Sequence, residues 1–308
     1  MSAASPILVT GASGQVGGEI ANLLRLRKQS VLAPTSAEMN LASPDAIRSY
    51  VQKHQPSWII NAAAYTAVDK AESEVELAEA LNAVAPGVLG EEAAALHIPV
   101  IHFSTDYVFA GDGTKPWVES DATGPLNTYG RTKLEGEDAL AQSGAAYMIF
   151  RTSWVYGATG KNFVRTILRV ARERESMNIV ADQFGAPTWA RDLARLALHI
   201  VDQAGSNAES AVRNLSGRYH ACNGGETTWF GFAEEILRQA AHHEPDVKFA
   251  TLYPVPTEAY PTPAKRPANS RMDCSLLATK LGFQMPDWRE SLAQVISEYD
   301  QLRTTGSL

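Results

Sequence analysis

Short apolar runs recur along the first half of the chain, at Ile7-Leu8-Val9, Ser30-Val31-Leu32-Ala33, Trp58 to Ile60, Ile98 to Phe103 and Tyr147 to Phe150. The last three each follow a stretch with helical periodicity, and strands that alternate with helices imply a parallel sheet. Farther on, Val164 to Ala171, Leu193 to Ile200 and Thr228 to Ala240 carry the spacing of amphipathic helices. No internal repeat or low-complexity tract breaks the pattern. The expected fold is α/β with a doubly wound parallel sheet, whose ligands gather at the carboxyl ends of its strands. Asn61-Ala-Ala-Ala64 and Ser104-Thr105-Asp106 fall at such ends.

The first strand runs straight into Gly11-Ala-Ser-Gly14-Gln-Val-Gly17 and then into a helical pattern. Gly11 and Gly14 allow a tight turn and close approach of backbone to a pyrophosphate, whose charge the amides at the helix start stabilise; Gly17 allows helix and strand to pack closely. The spacing is GxxGxxG rather than the better-known GxGxxG, so the strand before it and the helix after it carry much of the argument. After the second strand, where a strictly NAD-binding chain would place an acid on the adenosine ribose, the sequence reads Ala33-Pro34-Thr35-Ser36. Two hydroxyls and no carboxylate in that run permit NADPH, and no arginine stands there to prefer it, so NADPH and NADH both remain expected cofactors.

Tyr129 and Lys133 stand four apart in Tyr129-Gly-Arg-Thr-Lys133, downstream of His102-Phe-Ser-Thr105. On a helix that spacing puts both side chains on one face. An ammonium beneath the phenol is expected to move the phenol's pKa down toward the operating pH, where proton transfer to a ketone oxygen is most efficient. Thr105 could offer a hydroxyl to the same oxygen. The Tyr/Lys spacing alone also occurs by chance on solvated helices; the glycine turn and the strand before it give it meaning.

Composition narrows the class further. A chain of 308 residues, 45% hydrophobic and 20% charged, suits one soluble enzyme subunit with a dinucleotide domain and a smaller lobe. No apolar run approaches the ~20 residues that span a bilayer, and Met1-Ser-Ala-Ala-Ser-Pro6 lacks the basic and apolar regions of a signal peptide, so a cytoplasmic location is expected. A net charge of -7 without a long basic stretch argues against nucleic acid or an anionic membrane as partner. Cys222 and Cys274 lack metal-ligand spacing and are expected to be unpaired thiols. The densest basic cluster, Lys265-Arg266-Pro-Ala-Asn269-Ser-Arg271, follows a proline-punctuated stretch and is a candidate for binding a phosphate ester.

These residues resemble the dTDP-4-dehydrorhamnose reductases of the extended short-chain dehydrogenase/reductase group, over nearly the whole chain. The shared runs are Thr10-Gly-Ala-Ser-Gly-Gln-Val-Gly17, Asn61 to Ser73, Ser104-Thr-Asp-Tyr-Val-Phe109, Tyr129 to Lys133, Arg151-Thr-Ser-Trp-Val-Tyr156, Asp182 to Thr188 and Arg266 to Arg271. The glycine run and the Tyr/Lys pair belong to the whole superfamily; the other five are specific to this branch.

The resemblance implies a Rossmann domain over residues 1–156 and about 186–222, interleaved with a smaller C-terminal α/β lobe over about 157–185 and 223–308 that holds a dTDP-sugar. It implies reduction of the sugar's C4 ketone to give dTDP-L-rhamnose, the donor for cell-envelope polysaccharide such as O-antigen. By position, Gly11, Gly14, Gln15 and Val16 would follow the cofactor pyrophosphate, Asn40 and Leu41 the adenine end, and Ala64, Tyr65 and Thr66 the ribose or nicotinamide. Tyr129 would be the proton donor, Lys133 would tune it and bind the nicotinamide ribose, and Thr105 would polarise the ketone. Asp106 and Trp154 would contact the sugar; Arg266, Asn269 and Arg271 would hold the diphosphate, whose oxygens arginine forks match.

Some members of this family are linked to magnesium held by glutamates between subunits. Glu19 matches one such position, but Arg191 stands where another glutamate is expected, and an arginine cannot ligate a cation. The resemblance therefore gives only weak grounds for magnesium, or for the homodimer it would join. Two rivals share the scaffold. A nucleotide-sugar dehydratase or epimerase is one, but a dehydratase commonly needs Asp-Glu after the threonine where this chain has Asp106-Tyr107. The other is a non-catalytic regulatory subunit like that of methionine adenosyltransferase.

Overall fold

The computed structural model describes residues 5–306; Met1 to Ala4, part of the stretch inspected for a signal peptide, lie outside them. The first half runs β1 (Ile7–Thr10), α1 (Gln15–Leu26), β2 (Val31–Leu32), α2 (Pro44–His54), β3 (Trp58–Asn61), short helices α3 (Val68–Ala71) and α4 (Val75–Glu79), α5 (Ala85–Leu96), β4 (Pro99–Thr105), α6 (Thr128–Gln142) and β5 (Ala146–Thr152). The second half runs β6 (Val155–Tyr156), α7 (Phe163–Glu173), β7 (Ser176–Val180), β8 (Phe184–Gly185), β9 (Thr188–Trp189), α8 (Ala190–Ala204), α9 (Ala208–Arg213), β10 (Gly217–His220), β11 (Thr227–Thr228), α10 (Trp229–His243), β12 (Thr251–Val255), α11 (Ser275–Leu281) and α12 (Trp288–Thr304).

Six strands form one parallel sheet in the order β10-β5-β4-β3-β1-β2. Successive residues of each strand face opposite cores. Ile7, Val9, Trp58, Ile60, Ile101, Phe103, Met148 and Phe150 pack with α1 and α8; Leu8, Ile59, Val100 and Ile149 pack with α2 and α5. Covering both faces of a parallel sheet is what makes its strands read as apolar runs. The chain reverses its direction of winding between β1 and β3, and the crevice outside the carboxyl ends of those strands is where such a sheet takes a ligand.

A separate core joins α7, α10 and α12, with Ile167, Leu168, Phe232, Ile236, Trp288, Leu292 and Val295 at its centre and the parallel pair β7–β12 beside it. The amphipathic periodicity read at Val164 to Ala171 and Thr228 to Ala240 is the imprint of this packing. One stretch departs from the expected division: Leu277, Leu281 and Met285 lie in the core beneath the large sheet. Residues around α11 therefore pack with the Rossmann-like layer, because α11 lies against β10.

Candidate active site

Gly11 ends β1 with φ +67, a conformation that favours glycine, and a Cβ there would stand 2.7 Å from Ala63 N. A Cβ on Gly17 would overlap the Gly11 carbonyl oxygen at 2.4 Å, which fixes how closely α1 can lie on the turn. The amino end of α1 has Gly14 at its cap, no capping side chain and no acid in its first turn. Its amides and dipole thus favour an anion. The Gln15 side chain is engaged elsewhere, donating to Val155 O at 3.4 Å and accepting from Asn162 at 3.2 Å, so its backbone is the part suited to a pyrophosphate. Across the crevice, Asn82 clamps the Ala64-Tyr65-Thr66 turn by accepting from Tyr65 N at 2.8 Å and donating to Tyr65 O at 3.1 Å. Asn40 accepts from Ala42 N at 3.0 Å, and Leu41 packs against the core under α2. A glycine turn, an uncapped helix start and a braced loop facing it across the switch point fit a dinucleotide.

The run after β2 is less open to a 2'-phosphate than its residues suggest. Glu38 Oε2 accepts from Thr35 N at 2.8 Å and from Thr35 Oγ1 at 2.9 Å. A carboxylate thus stands beside the very hydroxyl expected to welcome a phosphate. It was missed because it lies three residues downstream of Thr35 and folds back.

Thr105 closes β4 and Tyr129 opens α6, whose amino end is capped by Asn127 accepting from Gly130 N at 2.9 Å. Thr105 and Asp106 both act on the buried Tyr129 phenol, Thr105 favouring its ionised form and the Asp106 carboxylate opposing it. Thr105 Oγ1 also stands 2.9 Å from Asp106 Oδ1. Burial raises the Asp106 carboxyl to about 6, against hydrogen bonds from Ser270 and Thr105. Asp106 Oδ2 is buried without a well-formed hydrogen bond, as expected of an atom awaiting a ligand.

Lys133 lies on the same helix as Tyr129, but its amine is engaged with the sheet. Its Nζ lies 3.0 Å from His102 Nε2 and donates to Phe103 O at 2.6 Å. Burial brings its pKa down to about 7, with Glu137 one turn along α6 pulling the other way. The Tyr129 phenol is pushed up to about 12 by desolvation, only partly opposed by Thr105. The expected lowering of Tyr129 by Lys133 is thus absent from this state, in which the amine is held by His102 and the Phe103 carbonyl. Glu137 is itself fully buried, bridged by Arg151 at 2.7 Å and Arg218 at 2.8 Å and accepting from Ser104 at 2.6 Å.

The remaining candidates fall into two groups. Trp154 stacks on Trp229 with ring centroids 3.7 Å apart, and a Cβ on Gly185 would meet its indole at 2.7 Å. Its φ of +49 is costly for a bulky side chain and occurs away from any helix end, where strain of this kind points to a functional constraint. Arg271 sits over the Phe184 ring at 5.0 Å and donates to Asn269 Oδ1 at 2.8 Å. Arg266 is paired with Asp69 at 2.7 Å. Asn269 does not have a free hand for phosphate: its amide donates to Asp112 O at 3.1 Å and Lys115 O at 2.8 Å while its oxygen holds Arg271. It braces the loop and aims the arginine.

Glu19, Arg191 and Glu298 do meet, but without room for a metal. Arg191 donates to Glu19 at 2.8 and 3.0 Å and to Glu298 at 2.8 Å, so a guanidinium fills the space between the two carboxylates. These residues do not fit a magnesium ion.

The RmlD substrate binding domain, as a protein family, matches residues 5–301. The chain belongs to that family. Similar to it are the dTDP-4-dehydrorhamnose reductase of Burkholderia thailandensis, 44% identical over 95% of this chain and 98% of that one, and two solved structures that also belong with this family by their names. A dTDP-4-dehydrorhamnose reductase of Clostridium acetobutylicum is 34% identical with a TM-score of 0.87, covering 95% of this chain and 99% of the other. That of Bacillus anthracis, solved in complex with NADP, is 32% identical with a TM-score of 0.85, covering 96% and 99%.

Proposed function

We propose that the chain reduces the C4 ketone of dTDP-4-dehydro-β-L-rhamnose to dTDP-β-L-rhamnose with NADPH or NADH. The observation that carries this reading is the buried cluster of Thr105, Asp106 and Tyr129, in which Thr105 Oγ1 lies 2.9 Å from Asp106 Oδ1 and both residues act on the Tyr129 phenol, at the strand ends that face the glycine turn. Nearly full-length relatives named for this reaction, one of them with NADP bound, support it.

A nicotinamide cofactor, when bound, would supply the hydride for the ketone carbon. The backbone around Gly11, Gly14, Gln15 and Val16 would hold its pyrophosphate, and Ala64, Tyr65 and Thr66 its ribose end. Thr105 and Tyr129 direct hydroxyls at the ketone oxygen, stabilising the charge that develops there. Tyr129 then gives up its proton, and Asp106 orients the sugar. Trp154, stacked in place, offers an apolar wall, while Arg271 and Arg266 would take the diphosphate, Arg266 after release from Asp69. Asp106 is followed by Tyr107, whose ring meets Tyr129 edge-on at 5.5 Å; a tyrosine cannot act as the second carboxylate that dehydration needs, so simple reduction is favoured. Among the described residues no helix is long and apolar enough to cross a membrane; a cytoplasmic location is part of this proposal and rests on the nucleotide-sugar substrate.

Absorbance at 340 nm with purified protein, dTDP-4-dehydro-rhamnose and NADPH or NADH in separate cuvettes tests the reading. Loss of absorbance is expected. No loss with either cofactor would favour the regulatory or binding role.

A further inference from the structure

Four buried polar side chains form a row that the reaction as described does not use. Thr10 pairs in register with Asn61, and Asn61 with His102, so three neighbouring strands put these side chains side by side on the face covered by α2 and α5. Thr10 Oγ1 lies 2.6 Å from Asn61 Oδ1, Asn61 Nδ2 lies 3.0 Å from His102 Nδ1, and His102 Nε2 lies 3.0 Å from Lys133 Nζ. At its far end the row receives Ala63 N on Thr10 Oγ1 at 3.3 Å, next to the glycine turn.

Burial holds the His102 imidazole well below its ordinary pKa, so it is neutral and carries one N–H. Two orientations of the ring proton then decide what Lys133 can be. In the first, Asn61 Nδ2 donates to His102 Nδ1, the ring proton sits on Nε2, and Nε2 can bond only the lone pair of a neutral Lys133 amine. In the second, the Asn61 amide is turned over, its oxygen takes the proton of Nδ1, and Nε2 accepts from a Lys133 ammonium. The Nε2–H tautomer therefore admits only a neutral Lys133, and an ammonium requires the Nδ1–H tautomer.

We propose that His102, oriented by Asn61, is a positioning residue for ketone reduction: its tautomer sets whether Lys133 can carry a proton, and the Thr10 end of the row lets the cofactor turn bias that choice. The inference rests on the reductase reading. A charged amine one helical turn from Tyr129 favours the phenolate left when Tyr129 gives up its proton; a neutral amine does not. Besides each other, the charged group that acts on this pair is Glu137 of α6, and it is already bound by Arg151 of β5 and Arg218 of β10. His102 is thus the group left to respond when Lys133 titrates.

The test is a 15N-histidine NMR titration of the full-length chain, with His102 assigned by substitution, run beside the pH profile of kcat. As pH falls, His102 should pass from the Nε2–H to the Nδ1–H tautomer, with the same midpoint as one limb of the kcat profile. Asn61→Asp, whose carboxylate can only accept from Nδ1–H, should hold the Nδ1–H form throughout and move that limb up by about one pH unit. One unchanging tautomer in the wild-type chain across the range where kcat titrates would overturn the proposal, whether or not the variant folds. An Asn61→Asp protein with native melting and an unmoved profile would overturn it too. Absence of any turnover in the wild-type chain would remove the reductase reading, while the imidazole signals would still show whether tautomer and Lys133 are linked.

Discussion

Arg191, at the start of α8, grips both carboxylate oxygens of Glu19 on α1, at 2.8 and 3.0 Å. With Glu298 on its other side, it joins the helix that begins at the cofactor turn to the last helix of the chain. The guanidinium supplies the positive charge that two facing glutamates need.

Chelation of divalent cations should therefore leave both turnover and melting temperature of the wild-type chain unchanged. Arg191→Glu sets three carboxylates against one another and should cost about 2 kcal/mol or more of stability, since removing one partner of a partly buried pair strands the others. Magnesium should recover part of that loss in the variant alone. Thermal melts with and without EDTA and magnesium check this, and a wild-type chain that loses stability in EDTA would contradict it.

Tyr129→Phe should lower kcat by about 100-fold or more, the scale of losing a general acid, with NADPH affinity nearly intact. Steady-state rates and cofactor fluorescence titration separate the two effects. Turnover close to wild type would remove Tyr129 from the chemistry.

Asp106 gives a prediction about pH and stability. Its carboxyl is raised by burial from 3.8 to about 6, so the folded state holds this proton more tightly than the unfolded one. Stability is therefore greatest below the unfolded pKa and is lost as pH rises through about 6, by about 3 kcal/mol in all. Asp106→Asn removes that dependence. It should melt above wild type at neutral pH, with the gap closing as pH falls toward 4, while kcat declines if Asp106 orients the sugar. Equal melting temperatures at neutral pH would show that the carboxyl bears no such strain.

Glu38 governs the fourth outcome. Replacing it by Gln removes the negative charge beside Thr35 and should raise the ratio of kcat/KM for NADPH over NADH by about five- to tenfold, chiefly through KM. Paired initial-rate measurements with the two cofactors decide it; a ratio that does not move places the adenosine ribose elsewhere.

The glycine turn, the Tyr129 and Lys133 helix and the alternating layers were legible because each is written locally, as period, spacing or turn chemistry. What escaped reading depends on the third dimension. Thr10, Asn61 and His102 meet only through strand register, across separations of 51 and 41 residues. Spacing correctly put Lys133 on the face of Tyr129 but could not tell that a neighbouring imidazole and a strand carbonyl would compete for its amine. Asn269 looked like a phosphate ligand because it lies between two arginines; its own amide was already committed to the loop at Asp112 and Lys115. Trp154 could be placed by resemblance, whereas its left-handed backbone has no signature in composition.

The row from Thr10 to Lys133 also bears on how the chain reaches its native state. Parallel strands drawn from distant parts of a sequence can pair in shifted alignments, and a shift by one residue turns every side chain to the opposite face. Here such a slip would carry Asn61 or His102 out of contact with its polar neighbours and into the aliphatic layer beneath α1 and α8, at a cost of about 1–3 kcal/mol for each stranded group. Thr10, Asn61 and His102, the last of which contacts Lys133, thus act as an alignment mark, making the correct assembly of β1, β3 and β4 a condition for burying any of them.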